Sequence, residues 1–515
     1  MLPGCNILLI VADQLRADAL GCYGNQICRT PHLDNLAASG AQLTDCMVTQ
    51  PTCTPSRASI LSGCYPSTLR SRMVGCTTPD DPRFLPRLLS NAGYRTASIG
   101  KIHLAPQKRE PELVAQTQGS NGDYDYYGFQ EVDLVNGHGM NCFGPGYTAW
   151  LSRRWPDHAQ QRAATQPLSP GINNASGSLR TQTWTLPAEA HAGEYIAQQA
   201  GAWLRNAAVD PKRQPFFLHV SFPDPHAPFV VPEPYAHMYE PDGMPDPLPP
   251  VTYTSDPTPL QLDAYFGACS HLENGRTSDR VIGTPPDNYA RYSAADWKAA
   301  KAIYYGMITL LDDQIGRILQ VLADTRLDDN TIVVFLADHG EYMGDHGFAG
   351  KGFLYQSAIQ TPLILRGPGI RAGARLAGIA STVDIAPTLL DLIGVPEPAG
   401  LNGVSMAKAL VAGGPLPRTA ALTENDDDFV PMKARALTTS DWKCVWYCGE
   451  ALGELYHRKN DPHELRNLWQ DEAYQQVKTE LLQRLLEEVV CALDVSNGRV
   501  QAPRAPVPKW LPKMG

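Results

Sequence analysis

The chain has 515 residues, enough for one large domain with an appendage or for two domains, and enough to bury a core without metal or disulfide staples. Its 43 Lys plus Arg against 53 Asp plus Glu give a formal net charge of -10 with no long basic run, which argues against a nucleic-acid or anionic-membrane partner. The 12 cysteines are too sparse for a disulfide scaffold and lack the paired spacing of zinc ribbons, although Cys46, Cys53, Cys64 and Cys76 crowd one stretch. In chain order, the first predicted element is Asn6-Ile7-Leu8-Leu9-Ile10-Val11-Ala12, followed at once by Asp13, Gln14, Arg16 and Asp18. With no basic leader and no small-residue cleavage site, it reads as a buried strand with a polar loop at its carboxyl end, not as a signal peptide. No run of about 18 apolar residues occurs, so no membrane span is expected, and the expected class is a soluble cytoplasmic protein with reduced thiols.

Similar short apolar runs recur at residues 96–99, 216–220, 331–336 and 362–365, and Trp297, Ala300, Ile303, Tyr304, Met307, Leu310, Leu311, Ile315 and Ile318 follow helical spacing. Strands alternating with helices predict an α/β domain over residues 1–400, with a mostly parallel central sheet covered by helices on both faces. Ligands of such sheets bind beyond the carboxyl ends of the strands, which singles out Asp13, His226, Asp338 and His339. Residues 137–190 and 223–286, rich in Gly, Pro, Asn and Ser, read as long loops. Beyond residue 400 the pattern changes to short strands at 433–439, 442–447 and 454–456 and an amphipathic helix near 473–490, a smaller α+β domain over 401–500. The remaining residues 501–515, with four prolines and three basic residues, read as an extended tail.

The cysteine-rich stretch contains Pro51-Thr52-Cys53-Thr54-Pro55-Ser56-Arg57-Ala58-Ser59. A turn of small residues before a helix offers free backbone N–H groups and an adjacent Arg57, an arrangement that stabilises an anion or depresses a thiol pKa. Cys53 is therefore a candidate nucleophile, against the ordinary reading of a buried structural cysteine. Two other features have local readings. His219, inside an apolar strand, reads as a core histidine, and Asp345-His346 between Gly344 and Gly347 reads as a tight turn packed under Lys351. The run Glu424-Asn425-Asp426-Asp427-Asp428 reads as a solvated loop, or, at a pocket mouth, as a selector of cationic or polyhydroxyl substrates.

Cys53-Thr54-Pro55-Ser56-Arg57 resembles the Cys-x-Pro-Ser-Arg signature of the type I sulfatases of the alkaline phosphatase superfamily. The resemblance extends, in the family's order, to Asp13, Gly100-Lys101-Ile102-His103, Asp224-Pro225-His226-Ala227-Pro228-Phe229, Ala337-Asp338-His339-Gly340-Glu341, Gly350-Lys351-Gly352 and Glu454-Leu455-Tyr456, so it covers nearly the whole chain. It implies an alkaline phosphatase-like fold and a sulfatase acting on small sulfate esters. It also implies that Cys53 is oxidised to formylglycine by a formylglycine-generating enzyme, and that Arg57, Lys101 and Lys351 surround the sulfate. His226 is then the proton donor to the leaving group and His103 the group that helps deprotonate the sulfated intermediate. Sulfate-ester hydrolysis suits these groups, because it requires charge stabilisation on the sulfuryl oxygens, a nucleophile aimed at sulfur and an acid for the leaving oxygen. A hydrated aldehyde offers one hydroxyl to attack sulfur and a second to expel the sulfate.

The implied metal set is Asp13, Gln14, Cys53, Asp338 and His339 around one divalent ion, calcium by family. Gln14 stands where many sulfatases have a second aspartate and His339 where many have asparagine, which shifts the preference toward manganese or zinc. The related phosphonate monoester hydrolases also carry Gln and His there, but usually lack the Lys and His found here at 101 and 103. A phosphonate monoester or phosphodiester hydrolase is therefore the first alternative, and a silent binding protein that retains the fold is the second. A homo-oligomer, dimer or tetramer, is expected.

Overall fold

The computed structural model describes residues 4–164, 181–253, 292–427, 433–449 and 453–493; the predicted tail over 501–515 lies outside them. Its strands are β1 (Asn6–Ala12), β2 (Ala41–Met47), β3 (Arg95–Gly100), β4 (Glu131–Leu134), β5 (Phe216–Ser221), β6 (Thr252–Tyr253), β7 (Thr331–Ala337), β8 (Gln360–Arg366), β9 (Ala374–Ser381), β10 (Ala420–Asn425), β11 (Ala434–Thr439), β12 (Trp442–Tyr447), β13 (Gly453–His457) and β14 (Arg466–Asn467). Eight of them form the central sheet in the order β4-β3-β5-β1-β7-β8-β2-β9. Only β8 runs against the others. The predicted parallel α/β class is the observed one.

Continuous apolar runs become strands here because both sheet faces are covered, so every position must be apolar. On β1 the side chains of Leu8, Ile10 and Ala12 enter one core and those of Ile7, Leu9 and Val11 the other; on β7, Val333 and Phe335 oppose Ile332 and Val334 in the same way. The first face is closed by the helices Ala192–Ala208 and Ala294–Asp324, through Tyr195, Ile196, Leu204, Tyr304, Ile308 and Leu311. The second is closed by the helices Cys53–Ser62, Leu85–Asn91 and Ile385–Ile393. Each such aliphatic side chain contributes roughly 1.5–3 kcal/mol by leaving water. The long helix starts on a capping box, with Ser293 Oγ accepting from Asp296 N at 3.2 Å. Among the described residues no helix is long and apolar enough to cross a membrane.

The expected loop region 137–190 is partly helical, with helices Pro145–Arg154 and His158–Ala163, because Tyr147 and Leu151 find core partners that a Gly- and Pro-based reading does not register. Residues 165–180 and 254–291 lie outside the description.

The smaller C-terminal unit is an antiparallel sheet, β10-β11-β12-β13. One face receives Leu481 and Leu485 from the helix Gln475–Leu493; the other packs on Met47, Val48, Leu354 and Ile359. The acidic run is not a solvated loop. Glu424 and Asn425 end β10 and are buried, as is Asp427; Asp428 lies outside the described residues. Burial is tolerated because each carboxylate is matched: Asp426 contacts Arg435 at 2.9 Å and Arg72 at 3.0 Å, Glu424 accepts from Ser67 N at 2.9 Å, and Asp427 accepts from Val74 N at 2.8 Å. Asn425 Nδ2 donates to Gly352 O at 2.6 Å, and Lys443 Nζ donates to Leu354 O, so the small sheet grips the loop that carries Lys351.

Two outcomes follow from this packing. Asn425→Ala leaves the buried Gly352 carbonyl without its donor, and a loss of about 1–3 kcal/mol is expected in chemical denaturation. His219 is a core histidine, bonded to Ser98 Oγ at 2.9 Å, and burial, then the nearby Arg57, push its pKa down to about 3. Its unfolded form gains a proton below its ordinary value of about 6.5 while the folded form does not, so it makes stability fall as pH drops. Between about pH 7 and pH 5, His219→Gln is expected to flatten that fall by at most ~1.4 kcal/mol per pH unit, measured from denaturation curves at each pH.

Candidate active site

Four adjacent parallel strands deliver the site. Asp13 follows β1, Asp338 follows β7, Lys101 follows β3, and His226 lies shortly after β5. Asp338 N donates to Ala12 O at 3.1 Å, and Gln14 N donates to Asp338 Oδ1 at 3.0 Å, which binds the two strand ends together. Gln14 itself has φ 64, an uncommon conformation for a residue with a side chain. β3 ends on Gly100, with φ 104, where a Cβ would lie 1.9 Å from Ser221 O; glycine lets the chain cross β5 and present Lys101.

Cys53 occupies the first turn of the helix Cys53–Ser62, every residue of which is buried. Ser56 Oγ donates to Asp338 O at 2.5 Å and Arg57 Nε to Asp338 Oδ2 at 2.7 Å, so the helix is fastened to the end of β7. Arg57 Nη1 donates to Lys101 O and Ser221 Oγ, while Nη2, buried and 3.8 Å from Asp13 Oδ2, has no hydrogen-bond partner. Cys53 Sγ marks the position that an oxygen would take after oxidation. It lies 3.5 Å from Asp13 Oδ1, 3.2 Å from His339 Nε2 and 3.1 Å from Lys351 Nζ. Lys351 Nζ also donates to Gln14 Oε1 at 2.8 Å and contacts His226 Nε2 at 3.0 Å. Lys101 Nζ bonds Asp13 Oδ2 directly. Asp13, Gln14, Cys53, Arg57, Lys101, His226, Asp338, His339 and Lys351 thus converge.

His103 sits two residues beyond Lys101, buried, with φ 58; its N–H donates to Glu110 Oε2 at 3.1 Å and its Nδ1 has no hydrogen-bond partner.

Burial alone would raise the Asp13 carboxyl, but Lys101 and neighbouring cationic groups outweigh it and hold Asp13 well below the usual carboxylate range. Burial and then Asp13 push the Cys53 thiol up, which reverses the expectation of a depressed thiol. The reason is geometric: Arg57 is committed to Asp338, and Asp13 faces the sulfur. An unmodified thiol here is a poor nucleophile. Burial lowers His226 well below its ordinary value and His339 to about 4.

Asp13, Cys53, Asp338 and His339 place one donor atom each within 4.8 Å of the others, all buried. His339 Nδ1 lies 3.0 Å from Gly340 O, which leaves Nε2 as the acceptor facing the cluster. Two hard carboxylates, a neutral imidazole and the nearby Gln14 amide oxygen fit a divalent cation. The grouping of His32, Asp312 and Asp313 is different: the Asp312 oxygens are taken by the N–H groups of His32 and Leu33.

Two members of the site had no role in the sequence reading: His138 lay in no motif, and Glu341 only closed the string Ala337-Asp338-His339-Gly340-Glu341. His138 Nε2 is 2.8 Å from Lys101 Nζ and 3.4 Å from Asp13 Oδ2, and its ring lies on that of His226. Its available signal was position, four residues past the end of β4 and between Gly137 and Gly139. Glu341 is fully buried and accepts from Gln14 Nε2 and from the N–H groups of Met343 and Gly350, fixing the loop that returns as Lys351. The Asp345-His346 turn supports the same loop, with Asp345 Oδ2 accepting from Arg16 Nη1 at 2.7 Å.

The sulfatase family model matches residues 5–395, and the model described as N-sulphoglucosamine sulphohydrolase, C-terminal, matches residues 344–490. The chain is 27% identical to an arylsulfatase of Clostridium perfringens, over 94% of each chain. It is 29% identical to the multifunctional alkaline phosphatase superfamily protein PehA of Trinickia caryophylli, over 93% of this chain and 94% of that one. The crystal structure of the phosphonate monoester hydrolase of Agrobacterium radiobacter superposes with a TM-score of 0.75 at 28% identity, covering 95% and 96% of the two chains. Relatives named for different esters therefore share one scaffold along nearly its whole length, and a cysteine, aspartate and histidine cluster sits where that scaffold ends its strands. The chain belongs to the sulfatase family, within the alkaline phosphatase superfamily, and is a hydrolase of that family whose buried Asp, Cys and His cluster is consistent with a formylglycine-type site.

Proposed function

We propose that this protein hydrolyses sulfate monoesters of the aryl or a related type, with Cys53 matured to formylglycine. The observation that carries the reading is the setting of Cys53 Sγ, buried between Asp13, His339 and Lys351 at the start of a buried helix. A divalent cation held by Asp13, Gln14, Asp338 and His339, together with the formylglycine hydrate, would supply a hydroxyl nucleophile active near neutral pH. Gln14 and His339 favour manganese or zinc over calcium.

The chain's own groups supply the rest. The unpartnered Arg57 Nη2, with Lys101 and Lys351, offers donors for the sulfuryl oxygens in a water-poor site, where such donors act most strongly. His226 is assigned to the leaving oxygen, with Lys351 Nζ 3.0 Å from its Nε2. His103 is assigned to the later deprotonation; its unpartnered Nδ1 supports an acceptor role.

The substrate is a small sulfate ester, and the maturation partner a formylglycine-generating enzyme. The free thiols support a cytoplasmic location, and the chain is read as a homo-oligomer. A second activity on aryl phosphonates is supported by Gln14 and His339 and by the likeness to the Agrobacterium radiobacter enzyme.

After co-expression with a formylglycine-generating enzyme, mass spectrometry of the peptide spanning position 53 is expected to find an aldehyde in place of the thiol, and kcat/KM is expected to favour aryl sulfate over aryl phosphonate. Lys101→Ala should lower kcat/KM for the sulfate by roughly 100-fold or more. A retained thiol would sink the mechanism, and a large preference for phosphonate would transfer the main activity to the second reading.

A further inference from the structure

His138 lies between the groups assigned to sulfate binding and those assigned to leaving-group protonation. Its ring is stacked on His226, with centroids 3.7 Å apart and planes within 11°. Its Nε2 faces Lys101 Nζ at 2.8 Å, and Lys101 is bonded in turn to Asp13. Because a lysine ammonium only donates, Nε2 is an acceptor here and His138 is neutral with its proton on Nδ1.

The surrounding loop is built to hold that ring still. Asn136 and Phe143 exchange N–H and C=O bonds, both 2.7 Å. Asn136 Nδ2 donates to Glu110 Oε2 at 2.9 Å, and Gly137 N donates to Gln107 Oε1 at 2.9 Å. Glu110, fully buried, also accepts from the N–H groups of His103 and Leu104, so one carboxylate anchors both histidine-bearing loops. Gly139 has φ 52, and a Cβ on it would come within 2.7 Å of Val230 Cγ1 and 2.9 Å of Pro228 Cγ. The His138 loop is therefore pressed against the segment that carries His226.

The constraint on His226 explains what such a stack contributes. Its Nδ1 meets Ala227 O at 2.5 Å and its Nε2 meets Lys351 Nζ at 3.0 Å, one contact on each ring nitrogen. Neither bond resists a tilt about the line joining the two nitrogens; a parallel ring against the face does. We infer that His138 is a positioning residue that fixes the plane of His226 and ties it to Lys101, so that the leaving-group donor and the sulfate-binding lysine are aligned as one unit. This inference rests on the sulfuric ester reading for the roles of His226 and Lys101.

The test is a leaving-group series. Aryl sulfates from 4-nitrophenyl to unsubstituted phenyl are assayed with the formylglycine-bearing, metal-loaded enzyme and with His138→Ala, His138→Gln and His138→Phe. Poor leaving groups need the proton most, so His138→Ala is expected to lower kcat for phenyl sulfate by about ten-fold or more and for 4-nitrophenyl sulfate by less than about three-fold. His138→Phe keeps a ring on His226 and should return the dependence on leaving-group pKa toward that of the wild type; His138→Gln keeps an acceptor for Lys101 without the stack and should not. A loss equal across the series, no loss at all, or a His138→Phe dependence as steep as that of His138→Ala overturns the inference. A wild-type enzyme that prefers phosphonates overturns the sulfate reading alone, and the series is then run with aryl phosphonates and judged on the same dependence. Inactivity on both ester classes overturns both.

Discussion

The rest of the site depends on two carboxylates, Asp13 and Asp338, buried without solvent at the ends of adjacent strands. Paired charges can be kept in such a place only if each is closely matched. Arg57 and Lys101 are drawn in by that requirement, and both arrive from elements that also have to pack: a fully buried helix and the end of β3. The buried cluster that fits a cation and the basic groups paired beside it are two products of one electrostatic constraint. Burial, and then the facing Asp13, push the unmodified Cys53 thiol up.

Lys351 is placed by a different route. Its loop leaves the main sheet after β7, turns through the Asp345-His346 bend, and is held by Glu341 from within and by Asn425 and Lys443 from the C-terminal sheet. The small antiparallel unit is therefore part of the active-site scaffold, since its buried polar groups end on the backbone beside the lysine that touches Cys53, Gln14, His226 and His339. The matched acidic residues at the end of β10 belong to this grip, so the charge there is spent on holding secondary structure together.

Residues that follow an uninterrupted apolar run were legible from sequence: Asp13 after β1 and Asp338 after β7 need only the rule that ligands gather at strand ends. The run Ala41-Gln42-Leu43-Thr44-Asp45-Cys46-Met47 has no such continuity, and β2 joins the sheet because β8 and β9 flank it on both sides. Glu424 and Asp426 read as solvated because a carboxylate ordinarily is; their arginine partners, 11 and 9 residues further on or far upstream at Arg72, are not visible as partners until the strands pair. His138 carried no motif, since a histidine between two glycines gains meaning only from the ring it faces.

By itself, then, the sequence determined the strand and helix periods, the parallel class of the sheet and the kinds of chemical group available: carboxylates, lysines, histidines and one cysteine in a maturation signature. These are local properties, set by side-chain pattern within a few residues. The tertiary structure alone decided which charges neutralise which, that Arg57 is spent on Asp338, that the thiol is raised, that the C-terminal sheet holds the Lys351 loop, and that His138 lies against His226. Each of these depends on distances between residues tens to hundreds of positions apart, and electrostatic and stacking energies are functions of those distances.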